Sequence, residues 1–237
     1  MLGNLLKANQ KLLSTMRLSK QHQLPVPVQS NISLSRFAEI GAKDTELAWP
    51  IWQALFAELT APSQEGEGLQ RPPVFVGMDG VDHVMRDSAY LNSEAQPIHA
   101  HDLTLVRSFT DLLSGKAALP NGGMVLASTS ESNRASAPTL DFFLDRNYRR
   151  QKMPEASLPE WDPYTHIDQP VADVMESVTA RKIRGLSKFE ARGVMEYYAQ
   201  SGMLRSAVTD SLVNEKWTLA GGGIVGQIEK GSVMLRF

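Results

Sequence analysis

Two short apolar runs that end in polar residues constrain the fold of this chain more than any other feature. Val74–Met78 leads into Asp79, and Met124–Ala127 leads into Ser128. Between the two runs, apolar residues recur at helical spacing from about residue 102 to residue 113. A strand, a helix and a strand in this order predict a βαβ unit, whose right-handed crossover brings both strand ends to one edge of a parallel sheet.

Asp79 and Ser128 are candidate ligand-binding residues, because ligands of open parallel sheets bind at the carboxyl ends of the strands. In phosphate-binding folds, an acid at the end of an apolar strand holds Mg²⁺ or its water. A polar residue on the neighbouring strand then reaches the terminal phosphate or the attacking water. An acid after an apolar strand is also common in ordinary loops, so the pattern leaves a nucleotide site and a plain strand end as alternatives.

The composition narrows the chemistry that this chain can use. It has 237 residues and no cysteine, which excludes disulfides, thiolate zinc sites, iron–sulfur clusters and a cysteine nucleophile. The most apolar helical stretch, Leu47–Leu59, is too short to cross the roughly 30 Å of hydrocarbon in a bilayer. We therefore expect no membrane span.

A nearly balanced total of 24 Lys and Arg against 26 Asp and Glu hides three basic islands. Islands of this kind can face phosphate groups, although they are also common on solvated surfaces, and charge alone leaves both alternatives open. The islands are the acid-free stretch Met1–Ala38; the group Arg146, Arg149, Arg150 and Lys152; and the group Arg181, Lys182, Arg184, Lys188 and Arg192 with the single acid Glu190.

His99 and His101 lie two residues apart, next to Asp102. This spacing would suit metal ligands on an edge strand, but the sequence offers no third ligand at a readable spacing. We therefore expect a loop that contains Pro97 and leads into the helix of the βαβ unit.

Further elements are predicted on both sides of the βαβ unit. Arg134–Pro170 contains repeated prolines, which predict a loop-rich connection. The predicted helices are an amphipathic one over Leu2–Met16, one capped by Asp44 or Thr45 and ended by Pro62, one opened by the capping box Ser187–Glu190 and ended by Gly202, and a final one from Ile224.

Five segments together resemble the death-associated protein family of mitochondrial small-subunit ribosomal proteins. The resemblance covers nearly the whole chain, in order and in spacing, and the tail is most similar to fungal members. The segments are Pro73–Asp82, Leu103–Arg107, Gly122–Ser128, Asp162–Tyr164 and Glu215–Gly223. The capping-box helix with Tyr197 and Tyr198 resembles the family as well.

The resemblance implies an α/β fold with the parallel-sheet core of a P-loop NTPase, related to the AAA+ and STAND groups. Residues 1–150 are then the C-terminal part of that core, 151–170 a proline-rich connection, and 171–237 a small, mainly helical, lid-like domain. The glycine-rich phosphate loop of the family would lie upstream of Met1, so we expect an N-terminally truncated core. Met1–Lys20 aligns with an internal helix of the family, which favours a domain interior over the transit peptide that its acid-free composition also resembles.

The resemblance also implies binding of GTP or GDP with Mg²⁺ by the intact family fold, with none expected for this chain alone. Position 80 is a glycine where active AAA+ enzymes have a water-activating glutamate, so we expect little or no hydrolysis. The residues that match the nucleotide and Mg²⁺ positions are Asp79, which would hold the metal through water, Gly80 beside it, Ser128 and Thr129 at the sensor position, and Gly222 and Gly223 in the turn before a sensor-2-like helix.

As a function, the resemblance implies a structural, non-enzymatic component of the head of the mitochondrial small ribosomal subunit, in the matrix. Its partners would be small-subunit rRNA and neighbouring mitochondrial ribosomal proteins. The alternative is a GTPase or AAA+-like regulatory switch that acts on a protein partner outside the ribosome. The residues that we expect to contact RNA are Arg146, Arg149, Arg150 and Lys152.

Overall fold

The computed structural model describes residues 2–129, 134–153, 155 and 157–233. Short 3₁₀ turns at Val81–His83 and Ala100–Asp102 accompany the regular elements. Among the described residues, those elements are α1 (Leu2–Thr15), α2 (Leu34–Lys43), α3 (Thr45–Leu59), β1 (Val74–Asp79), β2 (Asp87–Leu91), β3 (Pro97–His99), α4 (Thr104–Leu113), β4 (Gly123–Ser128), α5 (Pro138–Lys152), α6 (Gln169–Met175), α7 (Lys188–Gln200), α8 (Asp210–Leu219) and α9 (Val225–Ser232).

The chain divides into two compact units. The first consists of Met1–Gly77 and Ser108–Leu126, and the second of Met78–Arg107 and Ala127–Phe237. The domain limits expected from the sequence stay a prediction, as does the assignment of the core to the P-loop NTPases. No helix in the described part of the chain combines the length and the apolar character that a membrane crossing needs.

The core of the first unit lies among α1, α2 and α3, where Leu13, Phe37 and Ile51 are almost completely buried. The two helices α2 and α3 approach closely at Gly41, because a Cβ there would lie 2.9 Å from the Cβ of Ile51. The predicted cap of α3 is confirmed, since Oδ1 of Asp44 accepts hydrogen bonds from the first turn of the helix. The helix predicted at the start of the chain is confirmed as well and contributes to this core.

A buried ion pair fixes the end of α3. The guanidinium of Arg71 donates to Oε2 of Glu58 at 2.6 Å, and Nε2 of His22 lies 2.7 Å from Oε1 of the same carboxylate. Arg71 also donates to the carbonyl oxygen of Arg17 at 2.7 Å, and the amide of Ser19 donates to Glu58. Burial raises the pKa of Glu58, but the hydrogen bonds from His22, Arg71 and Ser19 outweigh it and lower that pKa below its ordinary value.

The predicted strand pair is present. Strands β1 and β4 are neighbours in a two-stranded sheet. The amide of Val74, at the start of β1, donates to the carbonyl of Gly122 just before β4, whereas Asp79 and Ser128 meet at the two carboxyl ends. The strands are therefore parallel, as the βαβ pattern predicts.

Each continuous apolar run, taken by itself, predicts a strand that is buried on both faces, and this expectation is wrong. Phe75 is 65% exposed, Met124 59% and Leu126 52%, whereas the alternate residues Val76 and Val125 are half-buried. A continuous apolar run indicates burial on both faces only where both faces are covered. The described residues cover one face of this pair, so apolar side chains lie open on the other.

Two further expectations are wrong. The loop expected before residue 102 contains a hairpin, in which β2 and β3 pair antiparallel with Asp87 opposite His99. The loop-rich connection expected from residue 134 contains α5, which has Pro138 in its first turn. Proline disrupts the interior of a helix, but it suits the first turn, where its missing N–H has no intrahelical partner.

The C-terminal helices α7, α8 and α9 enclose a small core of their own. Ala191, Met195 and Ile228 are fully buried there. The capping box is confirmed, because the Ser187 hydroxyl accepts from the amide of Glu190 and the Glu190 carboxylate accepts from the amide of Ser187. The final helix is confirmed too, whereas α8 was not expected.

Candidate functional site

The carboxyl ends of β1 and β4 bring together the two residues that the sequence singled out. The hydroxyl of Ser128 donates to Oδ1 of Asp79 at 2.6 Å, and both side chains are exposed. The same carboxylate oxygen accepts from the amide of Gly80 at 3.0 Å. The hydroxyl and the amide orient the carboxylate at the strand edge and leave it open to solvent. Thr129 follows Ser128 and is exposed as well.

Gly80 turns the chain directly after β1. Its φ of 66° and ψ of 42° lie in the left-handed region, which L residues other than glycine rarely adopt. A Cβ at this position would also lie 3.2 Å from Cδ2 of His83. The glycine therefore serves the sharp turn after Asp79, and a glutamate here would strain that turn.

Asp82 is a residue of this edge that sequence reasoning missed. Its side chain is fully buried, and Oδ2 accepts from the amide of Ala135 at 2.6 Å. Within the described residues, its Oδ1 is buried without a hydrogen-bond partner. The carboxylate thus ties the turn after β1 to the chain that follows β4. Its sequence signal is weak, because an acid in a turn is ordinarily exposed.

Gly222 and Gly223 lie in the turn between α8 and α9, where both have positive φ angles of 84° and 94°. The carbonyl of Gly223 accepts from the amide of Leu186 at 2.8 Å, and a Cβ on Gly223 would lie 2.1 Å from the Leu186 oxygen. The indole Nε1 of Trp217 donates to that same oxygen at 2.7 Å. These contacts give the turn a structural role, and its expected part in nucleotide binding stays a prediction.

His99 and His101 both have partners within the fold. Nδ1 of His99 accepts from the amide of His101, so its proton lies on Nε2, which donates to Oδ2 of Asp168 at 3.1 Å. Burial is the main reason that the pKa of His101 falls to about 4, and Nε2 of this ring faces the sulfur of Met85 at 3.2 Å. The described part of the chain contains no group of three metal-binding side chains. His99 thus holds Asp168, whose other carboxylate oxygen caps the start of α6 by accepting from the amide of Val171.

Comparison with known proteins identifies the family of the chain. A family model described as mitochondrial ribosomal death-associated protein 3 matches residues 1–231. The chain belongs to this family. It is 40% identical over 230 residues to the small ribosomal subunit protein mS29 of Neurospora crassa, an alignment that covers 96% of this chain and 48% of the relative.

This member of the death-associated protein 3 family thus spans about half the length of the curated relative that it matches. The family recognised from the five sequence segments is confirmed, and the relative is fungal, as the tail suggested. The match lends no further detail to Asp79 or Ser128, whose roles stay predictions.

In this family member, the basic side chains of α5 are largely engaged by the fold. Arg150 donates to the carbonyl of Glu176 at 3.0 Å and to Oδ1 of Asn147 at 3.1 Å. Arg149 pairs with Asp145 one turn earlier at 2.9 Å.

The two other basic residues of α5 differ from each other. The guanidinium of Arg146 lies over the ring of Phe143, 5.6 Å from its centre. Lys152 is exposed in the last turn. The structure thus places the four predicted RNA contacts on one helix but gives three of them internal partners.

Proposed function

We propose that this chain is a structural component of the mitochondrial small ribosomal subunit, located in the matrix and in contact with rRNA and neighbouring ribosomal proteins. The family match over residues 1–231 carries the proposal. The name of the Neurospora crassa relative, a small ribosomal subunit protein, supports it.

The surface of the chain supports an assembled state. Phe75, Met124 and Leu126 form an open apolar face on the strand pair, and such faces on soluble proteins mark contacts with partners. A ribosomal position would cover this face and place the basic islands near phosphate groups.

Co-sedimentation tests the proposal. An epitope-tagged copy of the chain, expressed in fungal mitochondria, should migrate in a sucrose gradient with the small subunit and leave it when the subunit is dissociated with EDTA and high salt. Migration only at the top of the gradient, from a cell in which the tagged protein is folded and mitochondrial, would contradict the proposal.

We further propose that Asp79 and Ser128 belong to the Mg²⁺ side of a guanine-nucleotide site in the intact family fold, with little or no hydrolysis. The observation that supports this is the 2.6 Å contact of the two side chains at the ends of parallel strands. Carboxylate and hydroxyl oxygens suit Mg²⁺, which commonly takes one or two carboxylates and completes its shell with water and phosphate oxygens. The glycine at position 80 supports slow chemistry, because glycine has no side chain that could activate water.

A fluorescent GTP analogue tests this site. The hydroxyl of Ser128 can add one hydrogen bond worth about 0.5–1.5 kcal/mol, whereas micromolar binding requires about 8 kcal/mol. We therefore expect no detectable binding by the 237-residue chain, and binding by a family member that carries a glycine-rich phosphate loop. Tight binding by the chain alone would show that the site lies elsewhere. Fast turnover by the longer protein would favour the regulatory GTPase instead.

A further inference from the structure

We propose that residues 177–189, which run from the end of α6 to the first two residues of α7, form an RNA-binding surface that contacts the phosphate backbone through Arg181, Lys182 and Arg184. We call it the α6–α7 segment. This inference deepens the proposed function, because it assigns the rRNA contact to a part of the chain other than α5.

Three basic side chains of the α6–α7 segment are exposed and not engaged by the described part of the fold. Residues 177–189 contain four basic residues and no acidic one. Arg181, Lys182 and Arg184 are all exposed. Within the part of the chain that the structure describes, none of the three makes an ion pair or a side-chain hydrogen bond. A cation without an internal partner can approach a phosphate without giving up a contact of the fold.

The backbone of the segment is held at both ends. Upstream, the carbonyls of Met175 and Glu176 accept hydrogen bonds from side chains of α5. Downstream, the amide of Leu186 donates to the carbonyl of Gly223, and the carbonyl of Leu186 accepts from the indole of Trp217. Lys188 lies over the Trp217 ring, 5.2 Å from its centre. Fixed ends reduce the conformational entropy that the segment would lose on binding.

Two large apolar side chains of the same stretch of chain are exposed. Ile183 is 92% exposed and Phe189 is 84% exposed. Unpaired bases of RNA stack on exposed aromatic rings, and such a ring next to several cations is typical of surfaces that bind single-stranded loops. A protein partner would suit Ile183 and Phe189 equally well. The four basic residues that follow one another without an acid between Glu176 and Glu190 favour RNA, because clustered cations bind the phosphate backbone.

The experiment compares two variants of equal net charge. The first is R181Q/K182Q/R184Q, and the control is R146Q/R149Q/K152Q on α5. Binding of a fluorescein-labelled RNA hairpin of mixed sequence is followed by anisotropy over a range of KCl concentrations.

Three lost phosphate contacts should weaken binding by the first variant about 100-fold at about 0.1 M salt, and should make the slope of log affinity against log salt shallower by about 2. We expect the control to stay close to the wild-type affinity, within about threefold. An equal loss in both variants would show that only net charge matters and would overturn the assignment. Unchanged binding by the first variant would overturn it as well.

A second variant tests the aromatic ring. F189A should bind the same hairpin about tenfold more weakly, because it loses the stacking of a base, with an unchanged salt slope. Circular dichroism and the thermal midpoint should match wild type for F189A and for R181Q/K182Q/R184Q, since the side chains altered in these two variants are exposed. The same measurements check that the α5 control is folded. If F189A binds RNA like wild type and polyglutamate displaces the hairpin at equal charge concentration, the surface fits an acidic protein segment and the RNA assignment is overturned.

The outcome for the proposed function is separate. Wild-type chain that sediments with the small subunit, combined with unchanged RNA binding by R181Q/K182Q/R184Q, would overturn this inference alone. Wild-type chain that never sediments with the subunit would overturn the proposed function, whatever the RNA affinity of the variants.

Discussion

The two basic regions of the second unit look alike in sequence and differ in structure. On α5, Arg150 and Arg149 are engaged by Glu176 and Asp145. In the α6–α7 segment, Arg181 and Arg184 are exposed, with no such partner among the described residues. The difference shows that a basic island predicts a nucleic-acid contact only where its side chains do not already make hydrogen bonds or ion pairs within the protein.

Arg71, in the first unit, extends this comparison to the opposite extreme. Its guanidinium is almost completely buried and makes hydrogen bonds to Glu58, Gly68 and Arg17. Arg71 is buried, Arg150 is hydrogen-bonded at the surface, and Arg184 is exposed without a hydrogen bond or ion pair among the described residues. Substitutions at these three positions should have steadily smaller effects on the free energy of unfolding.

The largest effect is expected at Arg71. R71M should lower the free energy of unfolding by about 3–5 kcal/mol, because it leaves the Glu58 carboxylate buried without its cation. Urea unfolding monitored by circular dichroism measures the loss. The exposed Arg36 provides the control, since R36M should change the free energy of unfolding by less than about 0.5 kcal/mol. Equal effects of the two substitutions would contradict the role given to the buried pair.

A smaller effect is expected at the downstream attachment of the α6–α7 segment. G223A should cost about 1–3 kcal/mol, because alanine is strained at a φ of 94° and its Cβ would collide with the Leu186 oxygen. The matched control is G193A in α7, where a Cβ meets nothing within 4 Å and should stabilise the helix by about 0.5–1 kcal/mol. The thermal midpoints of the two variants should therefore move in opposite directions.

Arg150 should have an intermediate effect. R150Q removes the hydrogen bond to the carbonyl of Glu176 and should cost about 1 kcal/mol of unfolding free energy. Lys152, exposed in the same turn of α5, is the control, and K152Q should be neutral within about 0.5 kcal/mol. A neutral R150Q would mean that the charges of α5 are as free as those of the α6–α7 segment, and the comparison would fail.

The smallest effect on folding is expected at Arg184. R184Q should change the free energy of unfolding by less than about 0.5 kcal/mol, because the side chain is exposed and makes no hydrogen bond or ion pair with the described residues. The same chemical denaturation series measures it. A loss above about 1 kcal/mol would show that the fold uses this guanidinium.

Sequence patterns predicted that Asp79 and Ser128 lie together, but they did not show which basic side chains the fold already engages. Asp79 and Ser128 meet because parallel strands end at one edge, a rule that needs only the order of elements. The engagement of Arg150 depends on how α5 packs against α6, and α5 itself was hidden by its N-terminal proline. The buried Asp82 was also out of reach, since its burial follows from tertiary contacts. A count of charges along the sequence does not reveal the tertiary contacts that engage or bury a charged side chain.

Acetylation of two lysines tests the central claim most directly. Lys182 lies in the α6–α7 segment, Lys152 lies in the last turn of α5, and both are exposed in the free chain. The chain is treated with acetic anhydride alone and with the RNA hairpin bound, and mass spectrometry reads the reactivity of each residue. We expect that bound RNA suppresses acetylation of Lys182 and leaves that of Lys152 unchanged. Protection of Lys152 with Lys182 still fully reactive would contradict it.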